Sequence, residues 1–163
     1  MGTIADWEYR TIKLLNGSGS QNLGVNGSST PQVFTAAIPE EQTWYLTTIG
    51  YFMIDPGDMD HDVLASIGSA LNTGIDIYLR KNGVDNLLAN IKDNVDVMTL
   101  FKSEVMRGAE PGFLSSSSFY YGVMNFDQDF RIIGDDETVK AVVNDNLTGV
   151  EHIRMYVRVR RPL

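Results

Sequence analysis

His152-Ile153-Arg154-Met155-Tyr156-Val157-Arg158-Val159-Arg160 alternates polar and apolar residues without a break. Successive strand side chains project to opposite faces, so Ile153, Met155, Val157 and Val159 point one way and His152, Arg154, Tyr156, Arg158 and Arg160 the other. One face is core, and the other is a basic surface that is wet or turned to a partner. Just upstream, Thr138-Val139-Lys140-Ala141-Val142-Val143 is a β-branched run, and Asn144-Asp145-Asn146-Leu147-Thr148-Gly149 carries turn chemistry. Residues 135–161 therefore read as two strands joined by a compact polar turn.

The same signals recur along the chain. Residues 6–15 read as a first strand, and 16–30, rich in Gly, Ser and Asn, as either a surface loop or a flexible arm across a neighbour. That stretch lacks the Gly-Lys-Ser/Thr ending and following helix of a phosphate-binding loop. Residues 32–37 form a short strand and 43–53 a long one, with Trp44, Leu46 and Phe52 on one parity and Tyr45, Ile49 and Tyr51 on the other. Large side chains on both faces suit a central strand, or one with a side at a subunit interface.

Leu64, Ile67 and Leu71 sit at helical spacing, which predicts a short helix over 63–71 capped by Asp60 or Asp62. Residues 74–81 alternate as a strand closed by a turn at 81–83. The stretch 87–101 mixes periods, and the alternation of Val95, Val97 and Thr99 favours a turn followed by a strand over 95–101. Residues 107–118 form a long loop, and strands follow at 119–126 and 128–133. The sum is an all-β chain of about eight strands with one short helix near 63–71, an antiparallel two-sheet β-sandwich of jelly-roll type. It is a single domain, 1–163, with a flexible N-terminal arm or loop within 1–30.

A formal charge of −8 disfavours nucleic acid as a partner, and no apolar run approaches the roughly 18 residues of a membrane span. The start of the chain lacks the basic and apolar regions of a secretion signal, so a soluble protein is expected. With no cysteine there are no disulfides, thiolate metal sites or Cys nucleophiles. Four of the 13 Lys and Arg residues, Arg154, Arg158, Arg160 and Arg161, crowd into one terminal stretch. They are either solvated or paired with Asp and Glu of a neighbouring strand, or they form a docking strip for an acidic partner, another copy of this chain included.

The acidic loop 55–62 could offer oxygens to Ca²⁺, but Gly57 comes too early for an EF-hand and no Glu closes the loop. The ordinary reading is a solvated loop. His61 and His152 are the only histidines, and neither adjoins a nucleophile motif, so no catalytic, metal or cofactor residue is assigned and no enzyme activity is expected.

Three stretches carry a family resemblance: Gly27-Ser28-Ser29-Thr30-Pro31-Gln32-Val33-Phe34, Leu71-Asn72-Thr73-Gly74-Ile75-Asp76-Ile77, and Asn144-Asp145-Asn146-Leu147-Thr148-Gly149-Val150. In this order, framing 27–160, they resemble small tailed-bacteriophage virion proteins that decorate or cement the capsid; 82–118 has no counterpart. The resemblance implies a β-sandwich on the capsid surface, grouped as homotrimers on the major capsid protein, without enzyme activity or cofactor. A virion location with assembly in the host cytoplasm follows from it. Arg154, Arg158 and Arg160 are the residues expected to meet an acidic surface, and Trp44, Tyr45 and Tyr51 to bury a self-association surface. The alternative is a carbohydrate- or receptor-binding β-sandwich of a phage tail or baseplate, with Trp7, Tyr120 and Tyr121 stacking on sugars.

Overall fold

The computed structural model describes residues 6–39, 42–56, 63–64, 67–107, 117–133, 136–150 and 152–163, with backbone alone at 55–56, 102–107 and 117–119. Its strands are β1 (Trp7–Leu15), β2 (Gln32–Ala36), β3 (Thr43–Pro56), β4 (Ile75–Lys81), β5 (Val84–Ile91), β6 (Lys102–Arg107), β7 (Ser117–Ile133), β8 (Thr138–Val143) and β9 (His152–Pro162). Among the described residues one helix, α1 (Asn94–Leu100), lies between β5 and β6. The strands form a continuous antiparallel sheet in the order β5-β4-β8-β2-β1-β9-β3-β7-β6.

The sheet curls into a half-barrel, and β1 makes the corner. Its residues 7–13 pair with β9, whereas Leu14 and Leu15 pair with Ala36 and Thr35 of β2. The concave side holds the core, where Leu14, Phe34, Trp44, Tyr51, Ile77, Val139 and Val157 lose essentially all contact with solvent. Each such side chain contributes roughly 1.5–3 kcal/mol by leaving water. The alternation read in β9 is realised: Ile153, Met155, Val157 and Val159 are buried and the residues between them are not.

A bulge in β3 changes the reading of that strand. Leu46 pairs with Val159 and Thr48 with Arg158, so Thr47 is extra against β9, while against β7 the partners jump from Phe130 to Asn125. Parity flips across it. Ile49, Tyr51 and Met53 therefore join Trp44 and Leu46 in the core, while Gly50 and Phe52 turn outward.

The helix lies elsewhere than its spacing suggested. Described residues within 63–71 are not helical, and backbone groups that a helix would use internally are engaged by Lys92 and by Asn94 at the start of α1. Leu71 N–H donates to Lys92 O and Asn94 N–H to Val63 O, both at 3.0 Å. The strand expected over 95–101 is instead α1. Asp93 caps it by accepting from Asp96 N–H at 2.9 Å, and Val97 and Phe101, four apart, enter the core while Val95 stays outside. The strands expected at 119–126 and 128–133 merge into β7, and β5 and β6 are additional, giving nine strands among the described residues.

The stretch 16–30, one of whose readings was an arm over a neighbour, lies against its own chain. Leu23 is fully buried and donates its N–H to Ile153 O at 2.9 Å, and Leu147 N–H donates to Val25 O at 2.9 Å. Asn22 Oδ1 accepts from both Gly24 and Ile153. Gly27 is required there, since a Cβ would fall 2.0 Å from Val143 O. The acidic loop from Gly57 to Asp62, with His61, lies outside the described residues, as does the loop over 108–116.

Candidate interaction face

The convex side of β1, β9, β3 and β7 gathers the polar half of the β9 alternation. Register places Lys13, Thr11 and Tyr9 of β1 opposite Tyr156, Arg158 and Arg160, and Gly50, Thr48 and Tyr45 of β3 opposite the same three on the other flank. Phe52 of β3 lies between Arg154 of β9 and Tyr121 of β7. Directly opposed strand residues share a face, so these side chains form one surface.

At its centre Tyr156 reaches across two strand spacings. A Cβ on Gly50 would fall 2.0 Å from Tyr156 Cζ and 2.3 and 2.5 Å from its Cε atoms, so the ring lies face-on over the glycine. The hydroxyl thereby meets that of Tyr121 on β7 at 2.7 Å. Desolvation and this hydrogen bond push the Tyr156 pKa up to about 12.

The arginines divide into two kinds. Arg160 Nε donates to Asp129 Oδ2 at 2.7 Å, and its guanidinium stacks 4.4 Å from the Trp7 ring centre, which meets Tyr45 edge-on. Arg161 turns to the other side of the sheet, where it bonds Glu8 at 2.6 Å. These two follow the ordinary reading of paired charges. Arg158 stacks 5.8 Å from the Tyr156 ring centre, and Arg154 Nε donates to His152 Nε2; neither has a carboxylate partner among the described residues. Lys13 is likewise exposed without one. Cations with no carboxylate partner among the described residues thus collect on one face of an acidic chain.

Of the aromatics expected at a self-association surface, Trp44 and Tyr51 are 0% exposed and cannot reach a partner. The β3 bulge puts both in the core, and only Tyr45 reaches the convex face. Trp44 is sealed by Arg10 and Arg161, whose guanidiniums lie 5.1 and 5.0 Å from its ring centre with Glu8 bridging them. Hydrogen bonds from Arg10 and then Arg161 hold the Glu8 carboxyl below its usual range. Of the proposed sugar-stacking residues, Tyr120 is buried, whereas Trp7 and Tyr121 are on the convex face. Tyr9 at 65% exposure and Tyr156 were not singled out; the alternation that placed Arg158 and Arg160 also places them, through β1 register.

A shallow depression of about 330 Å³ lies on this face, floored by Phe52, Tyr121 and Tyr156 and edged by Lys13, Gln21 and Arg154. Among the described residues no group of three His, Asp or Glu could hold a metal ion, and no helix is long and apolar enough to cross a membrane. The arrangement is suited to binding: aromatic and arginine side chains on a stiff sheet are the composition enriched in protein interfaces. Comparison with family models, curated proteins and solved structures finds no match.

Proposed function

We propose that this chain is a non-enzymatic structural protein of a tailed-bacteriophage virion, decorating or cementing the capsid by binding the major capsid protein, as a homotrimer assembled in the host cytoplasm. The observation that carries the reading is the convex face, where Tyr9, Tyr45, Tyr121 and Tyr156 alternate with Arg154, Arg158 and Arg160. Such a face fits an acidic capsid surface by charge and supplies rigid aromatic anchors. Many copies on a symmetric shell would multiply a modest affinity. We read the curl at β1 as the corner of a β-sandwich of jelly-roll type, which leaves the convex face free.

The test is co-sedimentation of the purified protein with particles lacking it, followed by its copy number and position on the native particle. Stoichiometric recovery with capsids supports the reading, and recovery on tails alone or on neither rejects it. A second reading, a carbohydrate- or receptor-binding domain of a tail or baseplate, draws on the aromatic depression beside Lys13 and Arg154. Reproducible glycan-array hits lost in Tyr156→Ala would favour it.

A further inference from the structure

The sheet ends at β5, and among the described residues nothing pairs with its outer edge. Val84 and Leu87 stand 61% and 57% exposed there, an apolar edge of the sort that invites another strand. Asn82 and Gly83, with φ of 51° and 74°, form a two-residue turn that closes the pair Lys81 and Val84. Counting alternation from that closing pair, Val84 and Asn86 direct their backbone groups to β4, and Asp85 and Leu87 direct theirs to the open side.

A bulge then breaks the count. Tyr78 lies opposite Leu87 but Ile77 opposite Ala89, so Leu88 is extra. Past the bulge, Asn90, opposite Asp76, takes the open-side position. Open-side groups therefore fall at 85, 87 and 90, a step of two followed by a step of three. A regular strand steps in twos and loses register here. A strand with the same irregular step, run antiparallel about a two-fold axis between Leu88 and Ala89, keeps it.

We propose that the occupant of this edge is β5 of a second copy, with Leu87 paired to the partner's Asn90 and Asn90 to the partner's Leu87. Side-chain faces agree in that register. Leu88, Ala89 and Ile91 are turned to the core, and they meet the partner's Ala89, Leu88 and Asn86, while the outward Leu87 meets the outward Asn90. The register also sets Asp85, which already accepts from Lys140 of its own chain at 2.9 Å, opposite the partner's exposed Lys92, so this charge contact adds to an existing pair and is secondary to the backbone match. The proposal deepens the assembly reading by naming a copy-to-copy contact. Being two-fold, it closes at two copies and is separate from any threefold grouping, so on a shell it ties one cluster to the next.

The test is sedimentation equilibrium of the free full chain over a concentration series, a measurement that needs no capsid and so fails independently of the capsid assay. The expected species are even: a dimer of about twice 18.1 kDa, or a hexamer where threefold contacts also form. Leu87→Pro removes one open-side N–H and should reduce these to monomer or trimer, with circular dichroism unchanged. Lys92→Glu faces Asp85 with a like charge and should weaken association more at low salt than at high salt. A monomer or trimer throughout, or even-numbered species indifferent to both substitutions, overturns the proposal.

Discussion

The phenol ring of Tyr156 lies flat on Gly50, where it occupies the space that any β-carbon would need. The glycine is thus a gap in β3 that lets a β9 side chain reach β7. Gly50→Ala must lift the ring and part it from Tyr121, a cost of about 1–3 kcal/mol as for other overpacked sites. Urea denaturation should show this loss in the wild-type background and much less in Tyr156→Ala, because the two changes act on one contact.

The Tyr156 hydroxyl should ionise late. Its folded-state pKa of about 12 lies above the ordinary 10.0, so its neutral form is favoured in the fold. The associated stability is complete below the unfolded value and is lost as pH climbs from about 10 toward 12. Tyrosinate absorbance should contain one step near the upper end of that window, absent in Tyr156→Phe.

Glu8 should matter at the acid end. Its depressed folded pKa means that its contribution is present above the ordinary value of 4.5 and lost as pH falls through the folded value. Glu8→Gln should therefore destabilise the protein at neutral pH and differ less from wild type in acid. Urea midpoints at the two conditions check this, and acrylamide should quench Trp44 more readily in the variant as Arg10 and Arg161 loosen.

Leu23→Ala should cost about 2–5 kcal/mol, the range for a fully buried leucine. A free arm would make the same change silent. Differential scanning calorimetry separates the two outcomes.

Arg158→Glu should weaken capsid binding, and more at low salt than at high, because Arg158 has no intramolecular carboxylate among the described residues. Asp129 holds Arg160, so Arg160→Glu should lower stability as well as binding. Co-sedimentation at two ionic strengths, with melting curves, tests the contrast.

β4 and β9 were legible in the sequence because one buried face imposes a period of two, and β8 because of its β-branched run. Where a residue is inserted, the period misleads. Thr47 moved Tyr51 from an expected surface to the core, and Leu88 concealed β5. The helix was misplaced because 63–71 and 94–100 carry similar apolar spacing, and only tertiary hydrogen bonds at Lys92 and Val63 decide between them. On the convex face, the arginines could be read from β9 alone. Tyr9, Asp129 and the Tyr121–Tyr156 pair could not, since they depend on which strands lie beside it.

The corner strand has a mechanical meaning. Because Lys13 bonds into one half of the sheet and Leu14 into the other, neither half can swing without shearing backbone hydrogen bonds. A tug on any one edge is shared by all nine strands, so the molecule should behave as a stiff tile that yields all at once and not as two hinged plates.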